Sequence, residues 1–352
     1  MKAVVKRSSL PRDIEIKSVQ LRDPKPDEVV VKIQAVGICG SDLHMYEGHP
    51  GYEWITYPLV LGHEMTGAVV TVGSEVSDSF LEKRVVINPY IPCGKCSYCQ
   101  NGEENRCDHG EFYQAKRPPQ SLRYGFRQDG GMAEYITVPA RNVIPISDEV
   151  SEEVAAVSEA IAVGLTAVEK VREIDNKSFV IFGPGPIGLS IASLLVGLKA
   201  GKVVVVGIQG DEDRLKLARE IGVHHTVITN QQIVEQIVEI ENGFDGVFDC
   251  SGHSSVPPLA IKILKKGGEL VLVGISTNEF SLPMDQIVRG EIQIKGSYGI
   301  TSNTYHRVIQ YASKPQFPFG KLISHRFPLE QITSAFENAK NKAAGKTVVY
   351  FN

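Results

Sequence analysis

Cys39, His63 and Glu64 place a thiolate, an imidazole and a carboxylate in two short runs, Gly37-Ile38-Cys39-Gly40-Ser41-Asp42-Leu43-His44 and Leu61-Gly62-His63-Glu64. These are ligand types that hold zinc, and ligands mounted on loops can leave one coordination position open for a substrate. Standing alone, the same residues would better describe a buried cysteine near a surface His-Glu pair.

A second group of soft ligands follows. Cys93-Gly94-Lys95-Cys96-Ser97-Tyr98-Cys99, seven further residues and then Cys107 gather four of the six cysteines in one stretch, with Cys39 and Cys250 apart. Four thiolates on a compact loop close a tetrahedral zinc site with no vacancy, which staples a lobe and does no chemistry. In a reducing compartment such clustering points to metal rather than disulfides. An iron–sulfur cluster and a redox CxxC pair are the competing chemistries.

The third signal is Gly183-Pro184-Gly185-Pro186-Ile187-Gly188, directly after the apolar run Phe179-Val180-Ile181-Phe182 and opening a helical stretch. Gly183 permits the tight turn, Gly185 lets backbone approach a pyrophosphate and Gly188 allows close helix–sheet packing; N–H groups in the first turn of the helix that Pro186 and Ile187 open would face the phosphates. The acidic residue expected about 20 residues further on, to bind the adenosine ribose, is absent. Val203-Val204-Val205-Val206 ends instead in Gly207, followed by Ile208-Gln209-Gly210-Asp211-Glu212-Asp213-Arg214. Gln209 and Arg214 are candidate partners for a 2′-phosphate, whereas Asp211 could cap the next helix or reach the ribose. The coenzyme is therefore read as NAD or NADP.

These residues must be positioned by a chain of 352 residues, long enough that two domains are expected. Short β-prone runs separated by Gly and Pro occupy the N-terminal part and predict a mainly β domain. They are Ala3-Val5, Ile14-Ile16, Glu28-Ile33, Gly67-Val72, Arg84-Ile87 and Gly130-Val138. From about Ser151 the texture becomes helix alternating with strand, with a helix over 152–170, and predicts an α/β, doubly wound parallel sheet. After about Gln293 the pattern turns irregular and ends in a strand at 346–351. The expected division is 1–150 with 293–352, and 151–292 inserted between. A net charge of −4 argues against a nucleic-acid partner, and neither a membrane-spanning apolar run nor a signal core is found, so the expectation is a soluble, cytoplasmic chain.

Taken together, the Gly37–His44 run, Gly62-His63-Glu64, the cysteine tetrad and the dinucleotide loop resemble the medium-chain zinc-dependent alcohol dehydrogenase family over essentially the whole chain. The resemblance implies a GroES-like catalytic domain and a Rossmann coenzyme domain. It implies that Cys39, His63 and Glu64 bind the catalytic metal, that Ser41 and His44 relay the alcohol proton, and that the tetrad holds a structural zinc. Glu159, in Ser158-Glu159-Ala160, stands where the polyol branch, which includes sorbitol dehydrogenases, carries a glutamate that binds the metal directly or through its water. Ser158-Glu159-Ala160 departs from the usual Glu-Pro context there. Such a Cys-His-Glu-Glu shell is harder than one with two thiolates, which admits Mn²⁺ or Fe²⁺ beside the zinc expected there.

The implied reaction is hydride transfer from a secondary alcohol of a polyol or polyol phosphate to NAD(P), in a homodimer or homotetramer. A threonine-type amino-alcohol dehydrogenase and a non-catalytic dinucleotide sensor are the alternatives. Lys116, Arg117, Arg123 and Arg127 form a basic run that would suit a substrate phosphate if it faces the site, and Tyr46, Trp54 and Tyr298 are candidate lining residues.

Overall fold

A computed structural model describes residues 1–108, 123–276, 278–341 and 344–351. Two compact units emerge, residues 1–159 with 300–313 and 323–352, and residues 160–299 with 314–322.

In the first unit the strands order as Ile323–Pro328, Lys346–Tyr350, Glu28–Gly37, Glu64–Val72, Arg84–Ile87 and Val143–Pro145, with Tyr135–Pro139 also pairing with Glu28–Gly37. Glu28–Gly37 is the hub of this sheet, and irregularities at Val30/Val31 and Ile33/Ala35 interrupt its register with Glu64–Val72. A second sheet joins Ile14–Ser18, Lys2–Lys6 and Leu59–Val60. Alternating Val and Ile side chains from both sheets fill one core together with Met45, Tyr46, Leu61, Phe126 and Phe336.

The second unit is a parallel sheet of six strands among the described residues, in the order His225–Ile228, Lys202–Gly207, Ser178–Phe182, Phe244–Asp249, Leu264–Leu272 and Gln293–Gly296. In chain order this is 3-2-1-4-5-6, the doubly wound arrangement whose switch point lies beside its first strand. Near-continuous Val, Ile and Phe runs are what a parallel sheet covered on both faces demands. The sixth strand lies just past residue 292, where the sequence expectation ended this domain.

Three elements differ from the sequence expectation. The helix expected over 152–170 is two helices, Glu152–Ala156 and Ser158–Val168. The Ser158 hydroxyl donates to the Ala155 carbonyl at 2.6 Å, local bonding of the kind that competes with a regular helix. The region after Gln293 contains the helices Ser302–Ala312 and Ile332–Lys340. Thr301 caps the first through the Thr304 N–H, and Thr304, Tyr305, Val308 and Ile309 form its buried face. Asp211 precedes the helix Glu212–Ile221 but does not cap it; its carboxylate accepts the Ile208 N–H at 3.0 Å. No helix among the described residues is long and apolar enough to cross a membrane.

Candidate metal centre and dinucleotide loop

Cys39 sits at the N-cap of the helix Gly40–Glu47. The side chain of Asp42, three residues on, accepts the Cys39 N–H at 2.9 Å and so fixes the entry of the helix. His63 follows Gly62, whose φ of +92° is a conformation that glycine adopts without strain, and Glu64 begins the strand Glu64–Val72. Glu64 is paired in register with Gly37. A Cβ at residue 37 would lie 2.2 Å from Glu64 Oε2, so the glycine creates the room that the carboxylate occupies.

The donor atoms of Cys39, His63 and Glu64 lie within 4.8 Å of one another. His63 and Glu64 are buried, and Glu64 Oε2 and His63 Nδ1 are enclosed without a hydrogen-bond partner. Leaving the carboxylate oxygen unsatisfied is costly, and a cation among a thiolate, an imidazole and a carboxylate would satisfy it. The electrostatics agree. Burial alone would push His63 down, but Asp42, with Oδ1 3.6 Å from Nδ1, and Cys39 raise its pKa well above the ordinary value. Acidic groups thus crowd the imidazole, an environment that favours positive charge at this centre. The residues fit a metal.

Two supporting residues escaped the sequence reading. Asp42 is buried between Cys39 and His63, an orienting position for both. Lys346 is buried at the start of the strand Lys346–Tyr350 and donates to the Ile38 carbonyl at 2.8 Å and to Glu64 Oε1 at 2.6 Å. Burial would lower its ammonium, yet Glu64 and Cys39 hold it above its usual pKa. One Glu64 oxygen is thereby committed to Lys346, while Oε2 is left without a hydrogen-bond partner.

Glu159 is buried, and burial, with Glu64 alongside, raises its pKa. Its carboxylate does not join the set whose atoms lie within 4.8 Å. Ser41 is half-buried on the helix Gly40–Glu47, and His44 is exposed on the same helix. The His44 ring stacks on Tyr52, and its Nδ1 lies 2.8 Å from His49 Nδ1. Partial desolvation, with His49 alongside, lowers the His44 pKa.

Of the basic run, Lys116 and Arg117 lie outside the described residues. The Arg123 guanidinium lies 4.5 Å from the Phe126 ring centroid and donates to the Tyr90 hydroxyl at 3.1 Å. Phe126 in turn packs on the His63 ring at 5.1 Å. Arg127 lies over Trp54, which stacks on Phe126. Tyr46 is not a lining residue: its ring is in the core and its hydroxyl donates to Glu337.

Cys93, Cys96, Cys99 and Cys107 bring their sulfurs within 4.8 Å of one another, and none is in a disulfide. Backbone N–H groups of Lys95 and Cys96 push Cys93 down to about 6, whereas burial and neighbouring Cys96 push Cys99 up. Four thiols so placed cannot all ionise without a cation between them.

In the second unit Gly183 leaves the strand Ser178–Phe182 with φ +94°. Gly185 is the N-cap of the helix Pro186–Gly197, and a Cβ there would meet nothing within 4 Å. A Cβ on Gly188 would come within 2.0 Å of the Gly183 carbonyl oxygen, so the helix can approach the turn this closely only because residue 188 is glycine. Open backbone N–H groups at a helix N-terminus suit a pyrophosphate, and the loop fits a dinucleotide. Gly207, at the end of the strand Lys202–Gly207, packs so closely on Pro184 and Asp211 that a Cβ would lie 3.1 Å and 3.0 Å from their side chains. Arg214 Nη1 is 3.6 Å from Asp211 Oδ1.

The profile of the alcohol dehydrogenase GroES-like domain matches residues 25–148, and that of the zinc-binding dehydrogenase matches residues 186–314. The chain belongs to the zinc-binding alcohol dehydrogenase family. It is 33% identical to a sorbitol dehydrogenase of Bacillus subtilis (strain 168), over all of this chain and 98% of that one. An alcohol dehydrogenase (RspB) of Escherichia coli CFT073, solved with NADH, superposes with a TM-score of 0.89 at 28% identity, covering 100% and 99% of the two chains. Galactitol-1-phosphate dehydrogenase of Escherichia coli superposes with a TM-score of 0.87 at 28% identity over the full length of both. In this dehydrogenase family the two glycine-framed clusters have a chemical context: a metal-assisted oxidation of an alcohol and a nicotinamide coenzyme.

Proposed function

We propose that the chain oxidises a secondary alcohol of a polyol or polyol phosphate to the ketone, with NAD or NADP as acceptor, through a zinc ion held by Cys39, His63 and Glu64 with Glu159 as an outer carboxylate. The observation that carries this reading is the convergence of those three donors with Glu64 Oε2 buried and unsatisfied. Zinc bound there supplies Lewis acidity that lowers the pKa of a hydroxyl, and the nicotinamide coenzyme supplies the hydride acceptor. Ser41 takes the hydroxyl proton and His44 receives it from Ser41. Lys346 and Asp42 hold the carboxylate and imidazole in place, and Phe126 shields His63 from water. Glu159 is buried, and that burial, with Glu64 alongside, raises its pKa, which suits an outer carboxylate beside a cation rather than one of the three close donors.

Arg123, held over Phe126, supports an anionic group on the substrate, and the resemblance to galactitol-1-phosphate dehydrogenase agrees with that. Gly183, Gly185, Pro186, Ile187 and Gly188 cradle the pyrophosphate, with Gly207 and Arg214 beside the adenosine ribose. Cys93, Cys96, Cys99 and Cys107 hold a structural zinc. Family resemblance supports a homodimer or homotetramer, which light scattering would distinguish.

Reduced-coenzyme formation should be followed with sorbitol, galactitol, galactitol-1-phosphate, L-threonine and butane-2,3-diol, each with NAD⁺ and NADP⁺ and with Zn²⁺ or Mn²⁺ supplied. The largest kcat/KM is expected on a polyol or its phosphate. L-Threonine as the best substrate would replace the polyol reading. Dinucleotide binding without turnover, in protein carrying metal at the tetrad alone, would make it a sensor.

A further inference from the structure

The His44 ring does not end at solvent alone. Its Nδ1 lies 2.8 Å from His49 Nδ1, the two ring centroids are 5.1 Å apart, and both side chains are exposed. An Nδ1 to Nδ1 hydrogen bond requires one ring to donate and the other to accept, so the two imidazoles share one proton and cannot both be cations without breaking it. The helix Gly40–Glu47 ends at Gly48, whose φ of +66° turns the chain so that His49 comes back beside His44. The His49 N–H also donates to the His44 carbonyl at 3.0 Å, so backbone as well as side chains hold the two residues together.

We infer that His49 is a positioning residue for proton removal: its Nδ1 accepts the His44 Nδ1–H, fixes the tautomer that leaves His44 Nε2 basic, and shares the proton when His44 becomes an imidazolium. This rests on the reading of Ser41 and His44 given above. The balance is simple. The alcohol yields a hydride to the coenzyme and a proton to Ser41; one proton enters the pair at His44 Nε2 and one leaves to water from an exposed ring nitrogen. Desolvation lowers the His44 pKa, so a ring that holds its proton poorly has a second base in contact with it.

Charged groups on the surrounding elements are engaged elsewhere. On the same helix Glu47 is bridged by Arg12 and Lys340, and Asp42 is turned to Cys39 and His63. On the helix Ile332–Lys340, Glu337 is met by Arg12 and Tyr46. In the following loop Glu53 accepts the Gly51 N–H, and Tyr52 presents its ring face to His44. The imidazole facing His44 is therefore the base placed to take its proton.

The test uses full-length protein with ¹⁵N-labelled histidine, the His44 and His49 signals being assigned by their loss in His44→Gln and His49→Gln. The two rings are expected to titrate as a coupled pair, with the His44 curve becoming a single step in His49→Gln. Independent titration, with His44 unchanged in His49→Gln, would overturn the inference. Turnover with the best polyol of the panel supplies the second readout. His49→Gln is expected to lower kcat by about ten-fold below neutral pH, with KM unchanged and added imidazole restoring the rate. Wild-type kcat in His49→Gln, with His44→Gln impaired, would remove the role of His49 and leave the Ser41–His44 relay standing. Wild-type kcat in His44→Gln would bring down both.

Discussion

Replacing Lys346 by methionine leaves the Glu64 carboxylate buried without its cation. Breaking a buried ion pair from one side typically costs about 3–5 kcal/mol, so a denaturant midpoint should fall by a large fraction of the protein's stability while Lys346→Arg loses less. An unchanged midpoint would mean that the pair contributes nothing. Cys39, His63 and Glu64 were legible in the sequence because each sits in a short local pattern whose spacing is itself chemical. Asp42 lay inside the same pattern, and its N-cap spacing to Cys39 was the available signal. Lys346 could not be found that way, since 282 residues separate it from Glu64 and only the pairing of strands brings them together. Glu159 belongs to neither case: its burial beside the site appears only with the fold, and its distance from the tight donor set sets it apart from the other three.

Elements hold these side chains through close approaches that a single methyl group would spoil. Gly37→Ala puts a Cβ 2.2 Å from Glu64 Oε2 and should displace the carboxylate, lowering metal content at this centre before it lowers helix or strand content. Gly188→Ala drives a Cβ into the Gly183 carbonyl, an overpacking that costs about 1–3 kcal/mol and should weaken dinucleotide binding in a coenzyme titration. Acid sensitivity also belongs to this scale. Glu153, on the helix Glu152–Ala156, accepts from Arg326 and Tyr350 on two neighbouring strands, and the Arg326 hydrogen bond lowers its pKa below the ordinary 4.5. A carboxyl depressed on folding stabilises fully above its unfolded pKa and loses that contribution as pH falls through the folded one. Denaturant midpoints measured from pH 6 to pH 3 should therefore drop more steeply in the wild type than in Glu153→Gln. The β-runs and the βα alternation were legible because their apolar periods are strong. The helices Ser302–Ala312 and Ile332–Lys340 were not, because buried Thr304 and Tyr305 dilute the first stripe and Gly, Pro and Lys surround both.

At the scale of the molecule, the order 3-2-1-4-5-6 and the return of the C-terminal strand to Glu28–Gly37 follow from connections that a local pattern does not contain. The sequence supported a doubly wound sheet and a mainly β partner but not their registers. The coenzyme's 2′ position was left open for a physical reason that persists in the structure: Arg214 is close enough to pair with Asp211, so its charge is partly spent within the protein. The division of labour between the two sulfur-bearing sites leads to the decisive measurement. Metal content, dinucleotide affinity and polyol oxidation should be measured together on the wild type, Cys39→Ala and Cys96→Ala. Two zinc ions per chain are expected in the wild type, one for each cluster of donors. Cys39→Ala should keep the tetrad zinc and the coenzyme affinity while losing turnover, and Cys96→Ala should lose stability first. Full turnover in Cys39→Ala, or equal loss of turnover and coenzyme binding, would contradict the assignment of alcohol activation to Cys39, His63 and Glu64.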